Sequence, residues 1–128
     1  MTRAAKIRSV FALFSAFLLL NAGMGAEALD LKVLYLGNAK SARAEEFRSF
    51  LSAKVARVGV TNRVGFDPAL AKDYDVVLVD WPQSESRDEF PPKKSPLGEL
   101  KDWVKPTVFL GSAGLHMAIV WDVKGGFG

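Results

Sequence analysis

Asp75-Val76-Val77-Leu78-Val79-Asp80 decides the fold: four aliphatic residues in a row, bounded by an acid at each end. A run this short and this uniformly apolar suits a strand covered on both faces, as the inner strands of parallel sheets are. Upstream, Leu31-Lys32-Val33-Leu34-Tyr35-Leu36 reads the same way and stops at Gly37-Asn38. Arg57-Val58-Gly59-Val60-Thr61 alternates apolar with small or polar residues, the pattern of a less buried strand at a sheet edge. Thr107-Val108-Phe109-Leu110 is a fourth apolar strand, ending at Gly111.

Helical patterns lie between these runs. Ser41 stands where an N-cap would, Glu45 and Glu46 fall in the early turns, and Phe47, Phe50, Leu51 and Val55 recur at helical spacing. The spacing predicts a helix over 42–55. Asp67-Pro68 opens a short helical turn through Lys72, with Asp67 as cap and Pro68 at the first position. The long connection from Trp81 to Pro106 reads as loop in its first half, which holds Pro82, Pro91 and Pro92. In its second half Ser95 and Pro96 predict the start of a short helix, with Leu97, Leu100 and Val104 on one face. Leu115 to Trp121 fits two more helical turns, and Gly125-Gly126-Phe127-Gly128 closes the sequence.

Strands alternating with helices through short turns predict an α/β fold: a small doubly wound parallel sheet with right-handed crossovers. The two richest runs belong at the centre and the alternating one at an edge, which gives the order 2-1-3-4 of a flavodoxin-like sheet. Sheets of this order commonly carry a fifth strand, and none is legible. The chain is either a minimal four-stranded domain or one truncated at its C-terminal end.

The first thirty residues have a different character. Arg3, Lys6 and Arg8 precede an apolar run from Val10 to Leu20, and small residues follow, among them Ala26 and Ala28. That order is the pattern of a secretory signal peptide. The run is short of the about twenty residues a spanning helix needs. Ala26-Glu27-Ala28 fits the small-x-small cleavage pattern, so residues 1–28 are expected to be removed and 29–128 to form one α/β domain, periplasmic or secreted. The absence of cysteine excludes both disulfides and a lipid-modified N-terminal cysteine.

The pI of 9.3 belongs largely to this leader. Without residues 1–28 the chain keeps 14 basic and 13 acidic residues, and no block of like charge outlasts Lys93-Lys94. No basic face for nucleic acid is visible, and no membrane association is expected once the leader is cleaved.

Open parallel sheets bind ligands beyond the carboxyl ends of their strands. Here that crevice would draw on Asn38, Lys40 and Ser41 after the first strand, Asp80 and Trp81 after the third, and Ser112 and His116 after the fourth. Backbone N–H groups at Ser41 or Gly114 would hold an anion, and Trp81 would stack on a ring. Each residue also has a plain structural role. Ser41 suits an N-cap, Asp80 a strand end, Trp81 a wedge before Pro82, and His116 helix packing; Gly111-Ser112-Ala113-Gly114 suits a tight strand-to-helix turn. Gly37 to Ser41 is too short for a phosphate loop, a dinucleotide fingerprint lacks its glycines, and Gly111-Ser112-Ala113-Gly114 is one residue short of a nucleophile elbow. One histidine among scattered carboxylates offers no metal spacing, and no cofactor is implied.

Tyr74 to Pro82 resembles the third strand of response-regulator receiver domains, with Asp80 at the phospho-accepting position and Lys105-Pro106-Thr107 before the next strand. The paired acids those domains carry after their first strand are replaced here by Gly37-Asn38, which sets that likeness aside. Leu36-Gly37, the acid-flanked third strand, and Phe109-Leu110-Gly111 leading into Ser112-Ala113-Gly114 are similar to the class I glutamine amidotransferase-like group of flavodoxin-like domains. Those enzymes use a cysteine at the turn after this strand. Its absence makes the resemblance imply a non-catalytic relative. The leading expectation is therefore an exported, non-catalytic domain that binds a small ligand or protein partner at its strand ends. The alternatives are a hydrolase using Asp80, Ser112 or His116, and an inactive fragment of a larger exported protein.

Overall fold

The computed structural model describes residues 27–123. The expected leader, all but its last two residues, and the glycine-rich tail lie outside the described residues. Four parallel strands, β1 (Leu29–Gly37), β2 (Val55–Asn62), β3 (Val76–Trp81) and β4 (Thr107–Gly111), form one sheet in the order β2-β1-β3-β4. Helices α1 (Ala42–Ser52), α2 (Gln83–Glu89) and α3 (Ala113–Val120) lie between or after the strands, with 3-10 turns at Pro68–Asp73 and Leu100–Asp102. This is the α/β fold and strand order that the sequence predicts.

Alternation along the strands sorts the apolar residues into two layers. Leu34 and Leu36 of β1 and Val77, Val79 and Trp81 of β3 form the main core with Ala71, Leu97, Ala113 and Met117. The opposite face carries Val33 and Tyr35 under α1, whose Ala44 is buried and whose Phe47 stacks on Tyr35 at 5.2 Å. Register Tyr35↔Leu78 and Leu36↔Val79 brings the ends of the two central strands level. That places Asp80 and Tyr35 on the same face.

Three element boundaries differ from expectation, each for a local reason. α1 stops at Ser52, because Val55 is buried and pairs with Leu29 at the start of β2. Residues 83–89, expected as loop, form α2: Glu85 N and Ser86 N both donate to the Pro82 carbonyl at 3.0 Å. Gln83-Ser84-Glu85-Ser86-Arg87-Asp88-Glu89 has no apolar residue, so no periodicity announces it. The helix expected from Ser95 and Pro96 is reduced to the turn at Leu100–Asp102. Ser95 Oγ does accept from Leu97 N at 3.0 Å, but Gly98 follows at φ +79°, which ends any helix. Leu97 alone of the expected apolar face is buried; Leu100 and Val104 are exposed.

Candidate functional site

Asp80 and Trp81 end β3 on opposite faces, and each gathers its own cluster. Asp80 has no solvent exposure. Its carboxylate accepts a hydrogen bond from the Tyr35 phenol and a bidentate pair from Arg43, Nε at 2.6 Å and Nη2 at 3.0 Å. Arg43 comes from the first turn of α1, and its guanidinium also lies 5.2 Å from the Phe47 ring. Burial first, and then the bond to Asp80, push the Tyr35 phenol well above its ordinary range, so it stays protonated as a donor. The hydrogen bond to Asp80 in turn raises Arg43. Both carboxylate oxygens are thus occupied from inside the protein.

On the other side, Arg63 folds back from the end of β2 across the sheet. It is 4% exposed; Nη1 donates to the Asp80 carbonyl at 2.9 Å, and Nη2 faces Glu85 at 3.2 Å and Glu89 at 3.3 Å. Its guanidinium lies 4.1 Å from the Trp81 ring, and the backbone N–H donates to the Gly37 carbonyl at 2.6 Å. The far face of this cluster is His116, fully buried, with its ring 3.8 Å from that of Trp81 and 5.8 Å from Phe90. His116 Nε2 is 2.7 Å from Ser86 Oγ, whereas Nδ1 and the Trp81 indole N–H have no partner among the described residues. Burial lowers the imidazole below its ordinary range, reinforced by Arg63 and opposed by Glu89, so it is neutral near pH 7.

The remaining predicted residues are turn-formers. Asn38 Oδ1 accepts from Lys40 N at 3.2 Å, and the Asn38 carbonyl accepts from the Ser41 amide at 3.0 Å and the Ser41 hydroxyl at 2.7 Å. Ser41 Oγ caps α1 by accepting from Ala44 N at 3.1 Å. Ser112 precedes α3 without a side-chain cap, and its amide donates to the Trp81 carbonyl at 2.7 Å. Lys40 is exposed.

The seven predicted residues therefore do not converge. Asp80 and His116 stand on opposite sides of the sheet, and the serine that meets His116 is Ser86 rather than Ser112. An open cleft of ≈ 490 Å³ does lie at the strand ends, but it is displaced towards β2 and α2. Gly37, Asn38, Asn62, Arg63, Val64, Glu85 and Glu89 line it, so Asn38 alone of the predicted set takes part. Glu85 and Glu89 are four apart, which puts both on one side of α2. Recognising α2 would have been the one route to them from the sequence. Among the described residues no group of His, Asp or Glu side chains is placed to hold a metal ion, and no helix is long and apolar enough to cross a membrane. Comparison of the chain with protein-family models, with curated proteins and with solved structures finds no match in any of the three.

Proposed function

We propose that the chain is an exported, non-enzymatic α/β domain that binds a small, hydroxyl-rich ligand in the cleft beyond the ends of β1 and β2. The observation that carries this reading is a contrast in exposure. Asp80 and His116, the acid and imidazole that the sequence offers for catalysis, are buried, while the cleft offers polar groups to solvent, its two carboxylates already paired with Arg63. Glu85 and Glu89 supply acceptors, the amide NH2 groups of Asn38 and Asn62 supply donors, and exposed Val64 gives an apolar wall. Mixed donors and acceptors beside an apolar surface suit a sugar or polyol. Export is supported by the N-terminal pattern and by β1 beginning at Leu29, so removal of residues 1–28 would leave every described element in place. The likeness to non-catalytic glutamine amidotransferase-like domains agrees with this reading, since Ser112 stands in the turn where those enzymes need a cysteine.

The test is a titration of the chain with a panel of neutral mono- and disaccharides, followed by amide chemical shifts. Shifts confined to Asn38, Asn62, Val64 and the 85–89 segment are expected. No response across the panel, or shifts that cluster elsewhere, would sink this reading.

A second reading rests on Ser86 and His116, a hydroxyl 2.7 Å from a neutral imidazole. Nucleophile and base meet at this range in hydrolases. Among the described residues no carboxylate orients Nδ1, and Ser86 is itself buried. A fluorophosphonate probe separates the two: covalent labelling of Ser86 would establish the hydrolase, and no labelling is expected.

A further inference from the structure

β4 is an edge strand without the usual protections. One side is bonded to β3; on the other, among the described residues, no strand pairs with it. Edges that stay unpaired are ordinarily charged, bulged or interrupted by proline. Thr107-Val108-Phe109-Leu110-Gly111 has no charge and no proline. The internal ladder decides which groups face outward. Val77 N donates to the Pro106 carbonyl at 3.0 Å and Ser112 N to the Trp81 carbonyl at 2.7 Å, so even-numbered residues of this segment turn their polar groups to β3. The N–H and C=O groups of Thr107 and Phe109 therefore face the open edge. Val108 is 45% exposed and Phe109 37%. Against Phe109 lies α3, Ala-Gly-Leu-His-Met-Ala-Ile-Val, whose one polar side chain, His116, is buried and which leaves Leu115 and Ile119 uncovered. Helices of that composition are normally covered.

We propose that a second copy of the chain occupies this edge, β4 against β4, antiparallel across a two-fold axis at Val108. In that register Thr107 of each copy lies opposite Phe109 of the other. Both residues face outward, so the edge is its own hydrogen-bonding complement. Val108 meets its counterpart at the axis, in the close spacing of a non-hydrogen-bonded pair. Charge raises no obstacle, because β4 and α3 contain no acid, lysine or arginine. The uncovered apolar side chains of β4, α3 and Val123 expose roughly 400 Å² per copy, the size of the largest and often functional patch on a monomer, with Val108 on one face of the sheet and Phe109 and α3 on the other. That is about half of what a standard interface takes from each partner. The pairing accordingly belongs with weak, transient contacts, and dissociation is to be sought between about 10 μM and about 1 mM.

Sedimentation equilibrium of the full chain from about 10 μM to about 1 mM tests this range. The wild type is expected to pass from monomer to dimer, and V108K, which sets two lysines against each other at the axis, to associate about tenfold more weakly or not at all. Circular dichroism checks that V108K is folded. Hydrogen exchange on the wild type supplies an independent measurement: the Phe109 amide slows as concentration rises, while the internally bonded Leu110 amide does not change. A chain monomeric throughout, association that folded V108K leaves intact, or a Phe109 amide indifferent to concentration overturns the proposal. If V108K does not fold, the Phe109 amide decides alone.

Discussion

A carboxylate with no access to water must find its partners inside the protein, and Asp80 takes them from β1 and α1. Replacing the carboxylate by an amide takes from Arg43 its counter-charge and one of its two acceptor oxygens, but the Arg43 side chain is 44% exposed and can turn to solvent. Asp80→Asn is therefore expected to cost about 2–3 kcal/mol, below the loss of a fully buried pair. Tyr35→Phe, which leaves the bidentate pair intact, costs about 1 kcal/mol. Urea unfolding of both variants checks the order, and equal losses would mean that the Arg43 pair adds nothing. His116 makes a different prediction. Burial lowers its folded pKa below the ordinary value of 6.5, so the unfolded chain binds more protons in mildly acidic solution. Stability that is fully present at about pH 7.5 is lost as pH falls through 6.5 towards the folded pKa. The urea midpoint should drop between about pH 7.5 and about pH 5.5, and drop less in His116→Gln; parallel profiles would show that His116 is not the group responsible.

At the scale of elements, the turn from β4 into α3 is the most constrained. Gly111 has φ +63°, and a Cβ there would lie 2.6 Å from the Trp81 carbonyl oxygen, which is backbone and cannot swing aside. Gly111→Ala is expected to destabilise by about 2–4 kcal/mol, seen as a lowered thermal midpoint with unchanged helix content. An Ala variant as stable as the wild type would show that the turn can relax. The sequence announces this turn, since Gly-Ser-Ala-Gly after an apolar run has few other uses. It announces α1 equally through Ser41 and the spacing of Phe47 and Leu51. α2 is silent because it buries only Ser86 and carries no apolar stripe; its place is set by Pro82 and by the ion pairs of Glu85 and Glu89 with Arg63. The cleft is built partly from α2, so missing the helix meant missing the cleft.

For the whole molecule, the proposed export offers the plainest test. Expressed in a bacterium, the chain should be recovered outside the cytoplasm with Leu29 as its first residue, by N-terminal sequencing; a cytoplasmic product retaining residues 1–28 would refute export. The order β2-β1-β3-β4 was legible because it follows from local quantities: the length of each apolar run, its evenness, and the alternation of strands with helices. Those properties reside in neighbouring residues and survive without knowledge of the rest of the chain. The polar clusters do not. Tyr35 meets Asp80 across 45 positions, Arg43 meets it across 37, and Ser86 meets His116 across 30. Whether such side chains touch depends on strand register and on which face each residue occupies, and a shift of one residue reverses the face. The sequence by itself determined the fold class, the strand order and which runs are central. Only the tertiary structure decided that Asp80 and His116 are buried apart, that Ser86 lies beside the imidazole, and that the open polar surface lies between β2 and α2.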